Sequence, residues 1–143
     1  MNSDLLSDWL KYINSNRPKE GEFGLERLQS IFKEIVKKPL AQKTILVGGT
    51  NGKGTTVEYL QSFLISAGYS VGVYTSPHLI EFNERIRINN IPVDDEKIIR
   101  SFKLIDNLKQ ETRLTYFDYA TLAAFDIFSQ EELDFAILEI GIG

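Results

Sequence analysis

The chain has 143 residues, about one domain's worth, and its 16 Lys and Arg against 20 Asp and Glu leave a net charge of −4, which supplies no electrostatic footprint for nucleic acid. At 43% hydrophobic and 25% charged it has the means to bury a core, and no apolar run reaches the ~18 residues of a membrane span. The absence of cysteine excludes disulfides, zinc–thiolate sites and thiol nucleophiles; acids in Met1–Tyr12, where a signal peptide carries bases, complete the picture of a cytoplasmic protein.

Leu5, Leu6, Trp9, Leu10 and Ile13 recur at helical spacing, and a polar stretch with Pro18 and Gly21 ends that helix. Leu25, Leu28, Ile31, Phe32, Ile35 and Val36 make a second stripe, stopped before Pro39. These two helices form a lead-in over residues 1–40. Thr44–Val47 is a short β-rich run; a glycine-rich turn follows, then a helix carrying Val57, Leu60, Phe63, Leu64 and Ala67, then a strand over Ser70–Tyr74. Strand, helix and strand close as a βαβ unit, which implies a right-handed crossover and a parallel sheet. Arg85–Ile88 alternates, Asn89-Asn90 supplies the positive φ angles of a tight turn, and Ile91–Val93 returns as a small hairpin. Asp94 is an N-cap for a helix with Ile98, Ile99, Phe102, Ile105 and Leu108 inward. Phe117, Ala120, Ala124, Phe125 and Phe128 mark a further helix, and Phe135–Ile140 reads as a buried parallel strand. The expected fold class is therefore α/β, a parallel sheet flanked by helices like that of P-loop nucleotide hydrolases, with three parallel strands and at least one open edge. Because the chain stops at Gly141-Ile142-Gly143, just after a strand, it reads as a fragment, expected to self-associate through that edge or to be marginally stable.

Chemistry concentrates after the first strand. Gly49-Thr50-Asn51-Gly52-Lys53-Gly54-Thr55-Thr56 stands between strand and helix, where a phosphate loop belongs. Glycines let backbone N–H groups turn inward around phosphate oxygens, the helix N-terminus adds partial positive charge, and Lys53 reaches the terminal phosphates of ATP. Thr55 and Thr56 offer hydroxyls to phosphate or Mg²⁺. The pattern G-x-x-x-x-G-K-[ST] is not met, since Val47 holds its first glycine position and Gly54 follows the lysine. Glu139, ending an apolar strand, is costly to bury unless it is paired or binds a cation; by itself it also fits a strand end emerging into solvent. Ser76, before Pro77, offers a hard oxygen to a cation, or is an ordinary turn serine. His78 is the sole histidine and builds no catalytic or zinc cluster. Glu84, Arg85 and Arg87 fit either an acidic ligand or, by default, a solvated charged face; Tyr116 and Phe117 fit either stacking on a flat heterocycle or, by default, the core, where Trp9 also belongs.

Together the motifs resemble one family. Gly49–Thr56, Val71–Leu79, Phe82–Ile86, Leu114–Tyr119 and Leu138–Gly143, with Gly24–Leu28 ahead of the first strand, are similar to folylpolyglutamate synthase, which in bacteria is often also dihydrofolate synthase. Glycine after the loop lysine is that family's own form. The resemblance implies an incomplete Mur ligase-type central domain: residues 1–143 as the N-terminal portion of an ATP-binding domain, with residues 41–143 its phosphate-loop part. It implies an ATP-dependent ligase in which a carboxylate of dihydropteroate or a folate tail is phosphorylated and the amine of L-glutamate attacks the acyl phosphate. Position by position it assigns Lys53 and the loop amides to the ATP phosphates, Ser76 and Glu139 to Mg²⁺, and Thr115 and Phe117 to the pterin. It makes Pro77–Arg85, with Pro77, Phe82 and Arg85, the loop that closes over the folate site. The family continues beyond the final glycine with further metal-site residues and a glutamate-binding domain, so the expectation is a monomeric parent enzyme and a 143-residue chain with no ligase activity of its own. A peptidoglycan Mur ligase, which shares the loop and the acyl phosphate chemistry, and a nucleotide-binding module without catalysis are the competing readings; binding of pterin against uridine nucleotide, and a nucleotide–pteroate pair titration, separate them.

Overall fold

A computed structural model describes residues 1–18 and 26–140. Gly21 of the expected turn, Gly24 and Leu25 of the early motif, and the final Gly141–Gly143 lie outside the described residues. In chain order the elements are α1 (Leu6–Ser15), α2 (Glu26–Ile35), β1 (Lys43–Val47), α3 (Lys53–Ser66), β2 (Val71–Tyr74), a 3-10 turn (Phe82–Arg85), β3 (Ile86–Ile88), β4 (Ile91–Pro92), α4 (Asp95–Lys109), α5 (Tyr116–Gln130) and β5 (Phe135–Glu139). They divide into a helical unit, Met1–Lys37 with Asp94–Ile127, and a sheet unit, Lys38–Val93 with Phe128–Gly143.

In the helical unit the apolar stripes of α1 and α4 do what their spacing predicts. Leu6, Trp9 and Ile13 are buried, as are Ile98, Ile99, Phe102 and Ile105. Trp9 packs at 6.1 Å from Phe102, which meets Tyr119 edge-on at 5.7 Å, and the Trp9 indole N–H donates to the Ser3 carbonyl at 2.9 Å. Trp9 is thus a core residue with its polar atom satisfied. Asp94 caps α4, accepting from the Lys97 N–H at 2.9 Å, as read from sequence. One expectation is corrected: Phe117, placed inward by its helical spacing, is 47% exposed. The spacing gave the right helix but assigned it one turn too much apolar face, because the first turn of α5 precedes the buried stretch from Tyr119 onward.

The sheet unit departs more from expectation. Its sheet has five strands in the order β1-β5-β2-β3-β4, so β1 and β2 do not pair with each other; both pair in parallel with β5, which lies between them. The hairpin is not a separate ornament, because β3 adds antiparallel to β2 and carries β4 beyond it. Asn89 (φ +50°) and Asn90 (φ +67°) make the expected turn. Val47, Val57, Leu64, Val71, Val73 and Ile137 form the buried cluster of α3 against the strands. Phe63 is 74% exposed: α3 is apolar on two faces, and period alone does not say which one meets the sheet. Gly72 on β2 permits close packing, since a Cβ there would stand 2.7 Å from Leu133 Cδ1 and 2.9 Å from Phe128 Cε1.

Candidate functional site

The phosphate loop joins the end of β1 to the start of α3. Gly49 (φ +139°) and Gly52 (φ +76°) hold backbone conformations that L side chains rarely adopt, so these turns demand glycine. Gly52 is also the N-cap of α3 and makes no side-chain cap, leaving the first-turn N–H groups without a side-chain acceptor. An added Cβ at Gly49, Gly52 or Gly54 would meet nothing within 4 Å, so a ligand can approach the backbone closely there. Lys53, the first residue of α3, donates from Nζ to the Ile140 carbonyl at 3.0 Å, which holds the ammonium beside the end of β5. The two threonines differ. Thr56 Oγ1 donates back to the Gly52 carbonyl at 2.9 Å, while Thr55 makes no such helix bond.

Strand order brings the other candidates to the same place. β1, β5 and β2 are parallel and end level, with Val47 beside Glu139 and Tyr74 beside Leu138. Glu139 therefore sits on the middle of the three parallel strands, between the glycine loop after β1 and the Thr75-Ser76-Pro77 turn after β2. All three line one cleft of about 760 Å³, with Thr50, Asn51, Gly52, Lys53 and Gly54 on one wall, Thr75, Ser76, Pro77 and Leu79 on another, and Glu139 present. Pocket chemistry at the C-terminal ends of parallel strands is what α/β topology favours. Glu139 is half-buried and makes no hydrogen bond or ion pair among the described residues. A half-buried carboxylate sharing one cleft with a serine hydroxyl and a glycine loop is a donor set suited to a hard divalent cation, which commonly takes one or two protein oxygens and completes its shell with phosphates and water.

The remaining wall was marked by the resemblance, through Pro77–Arg85, but its hydrogen-bond partners were not legible in sequence. Arg87, read as solvated, is held by Glu58 at 2.6 Å and Asn90 at 3.3 Å, so it braces the hairpin against α3. Glu84 is likewise engaged, accepting the N–H groups of Leu79, Ile80 and Glu81 at 3.0, 2.8 and 2.7 Å. These bonds from Glu81, Leu79 and Ile80 hold its carboxyl below the usual carboxylate range. Among the residues of the Pro77–Arg85 loop, Pro77 lines the cleft, whereas Phe82 and Arg85 are buried. Arg85 lies over the Phe82 ring at 5.7 Å and donates from Nε to His78 Nδ1 at 2.8 Å. Burial first, and then the Arg85 charge, lower the His78 pKa against the pull of Glu84, which keeps the accepting nitrogen unprotonated. Thr115 and Phe117 lie at the start of α5 in the helical unit; Thr115 accepts from the Asp118 N–H at 3.0 Å and donates its own N–H to Asp118 Oδ2 at 2.7 Å, a capping box. The T-x-x-D spacing of Thr115 and Asp118 was a visible signal for that cap.

No family model matches the chain. Curated relatives do: the dihydrofolate synthase/folylpolyglutamate synthases of Haemophilus influenzae (44% identical over 138 residues, 96% of this chain and 31% of the relative) and Escherichia coli K12 (42% over 139 residues, 96% and 33%). The Arabidopsis thaliana folylpolyglutamate synthase is 33% identical over 147 residues, 99% of this chain and 25% of the relative. Among solved structures, E. coli FolC in complex with DHPP and ADP superposes with a TM-score of 0.90 at 38% identity, covering 100% of this chain and 35% of that one. A bifunctional folylpolyglutamate synthase/dihydrofolate synthase with Mn, AMPPNP and L-glutamate bound gives a TM-score of 0.87 at 40% identity, covering 96% and 33%. The chain thus spans about a third of the length of the curated relatives it matches, and over nearly all of its own length it is homologous to these ligases.

Proposed function

We propose that this chain is the phosphate-binding part of an ATP-dependent ligase that joins L-glutamate to dihydropteroate, to folate polyglutamate tails, or to both. The observation that carries the reading is the convergence of the glycine loop with Lys53, the Ser76 turn and Glu139, which has no partner among the described residues, on one cleft, in a chain homologous to such ligases. In the reaction, the γ-phosphoryl group passes from ATP to the substrate carboxylate, giving ADP and an acyl phosphate; the glutamate amine then attacks the carbonyl carbon, phosphate leaves, and the amine proton is lost. Phosphoryl transfer needs positioning and charge neutralisation more than a protein nucleophile, and this cleft supplies both.

Each residue has a task in that scheme. The open N–H groups at the start of α3 and the turn at Gly49–Gly52 cradle the phosphate chain, and Lys53 exchanges the Ile140 carbonyl for a terminal phosphate oxygen. Thr55 assists from the first turn, Thr56 being committed to the Gly52 carbonyl. Ser76 and Glu139 would hold Mg²⁺, which when bound supplies neutralising charge to the phosphates. Pro77, Phe82 and Arg85 of the sheet unit belong to the pterin or folate end; Thr115 and Phe117, in the helical unit, carry that role from the resemblance alone. The chain covers about a third of the curated relatives' length, so ligation is assigned to an enzyme of that full length, which we take to be cytoplasmic and monomeric. No helix among the described residues is long and apolar enough to cross a membrane.

Calorimetric titration of the chain and of Lys53→Ala with Mg·ATP at one ionic strength tests the reading. Saturable binding that weakens by at least about tenfold in the variant, roughly 1.4 kcal/mol, is the expected result. A folded chain that binds Mg·ATP equally well with and without the lysine would overturn it.

A further inference from the structure

The segment after β2 carries Leu79 and Ile80, two adjacent apolar residues that are 92% and 86% exposed, with Leu79 on the wall of the cleft. Such a tip on a slack loop would pay conformational entropy on every binding event. Here the backbone is already tied at one carboxylate. Glu84 Oε1 takes the N–H groups of Ile80 and Glu81 at 2.8 and 2.7 Å, and Oε2 takes that of Leu79 at 3.0 Å, while the Glu81 carboxylate caps the 3-10 turn in return. The turn itself is anchored: Asn83 Nδ2 donates to the Val93 carbonyl at 2.8 Å and Arg85 donates to His78. Three successive N–H groups closing on one anion make a small backbone nest whose anion is built into the chain.

We infer that Glu84 is a positioning residue that holds the Pro77–Glu81 wall in its cleft-lining form before any ligand arrives, so that this wall is preformed and presents Leu79 to the organic part of the carboxylate substrate. The preformed wall follows from the hydrogen bonds; only the identity of its ligand rests on the function proposed above. The two oxygens make distinct predictions. In Glu84→Gln the remaining carbonyl oxygen keeps Ile80 and Glu81, and the new amide faces the Leu79 N–H with a donor. In Glu84→Ala all three N–H groups lose their acceptor.

The experiment compares the unsubstituted 143-residue chain, Glu84→Gln and Glu84→Ala by amide hydrogen exchange without ligand, then titrates each with pteroate and with Mg·ATP. Exchange is expected to speed up by about tenfold or more at Leu79 alone in the Gln variant, and at Leu79, Ile80 and Glu81 in the Ala variant, with core amides such as Val57 and Val73 unchanged. Pteroate affinity should fall by about tenfold in the Ala variant, less in the Gln variant, and Mg·ATP affinity should hold in both. Protection retained in Glu84→Ala, or a deprotected loop with pteroate affinity intact, overturns the inference. If the unsubstituted chain binds neither ligand, the proposed function fails, and the exchange pattern still decides whether Glu84 sets the wall. Should the Ala variant not fold, the selective loss at Leu79 in the Gln variant decides it.

Discussion

Asp106 shows how one carboxylate organises a unit. Its Oδ1 accepts from Tyr12 and Tyr119 at 2.9 Å each, and the N-terminal ammonium and Lys109 stand 3.4 and 3.6 Å away. Burial opposes its ionisation, but the two phenol bonds, Lys109 and the N-terminus outweigh that and hold the carboxyl below its usual range. Burial first, then the bond to Asp106, pushes Tyr12 up to about 12, and Tyr119 is raised as well. A depressed carboxyl stabilises the fold above its unfolded pKa and loses that contribution as pH falls through the folded value. The raised phenols contribute fully below their ordinary value of about 10 and stop doing so as pH climbs through the folded value, about 12 for Tyr12. Asp106→Asn should cost about 1–3 kcal/mol at neutral pH and bring the tyrosine titration back toward its ordinary position, read by ultraviolet absorbance. Tyrosines titrating equally late in both proteins would refute the assignment. None of this was visible in the sequence, because Tyr12 and Asp106 are far apart in the chain and only helix packing makes them neighbours.

At the scale of elements, β2 is the most constrained strand. Residues 71–74 are all buried, and Gly72 lies under Leu133 and Phe128 with no room for a methyl group. Gly72→Ala is expected to destabilise the sheet unit by about 1–3 kcal/mol through overpacking, measured as a lower urea midpoint with unchanged slope. A neutral result would mean that the two side chains repack without cost. Most elements were readable from period and punctuation: the α1 and α4 stripes, the Asn89-Asn90 turn, the Asp94 cap, and the strand, glycine loop and helix around Lys53. Phe63 and Phe117 were not, since helical spacing shows that a face is apolar and leaves open whether a neighbour covers it.

For the whole molecule, strand order is the decisive fact. β1 lies at one edge of the five-stranded sheet, and the two-residue β4, ending in Pro92, blunts the other. We propose that the chain by itself associates with a second copy through the β1 edge, where Leu46 is 64% exposed. Light scattering across a dilution series should show the apparent mass rising with concentration, and Leu46→Lys should shift the series toward monomer; a sharp monomer at all concentrations would exclude this.

The sequence by itself singled out the glycine loop, Lys53 and Glu139 as candidates, because glycine placement, a lysine at a helix start and a carboxylate ending an apolar strand are local patterns with local physical causes; Ser76, an ordinary turn serine on its own, entered through the resemblance. It also carried the resemblance to the synthases, which the homologous ligases bear out. Only the tertiary structure decided that β5 inserts between β1 and β2, so that Glu139 stands between the loops that follow those two strands. Only it showed that Glu84 is tied to backbone N–H groups, where sequence made it a solvated charge. Strand order and hydrogen-bond partners arise from pairings between distant residues, and no local pattern encodes which of several compatible neighbours a strand or a carboxylate will find.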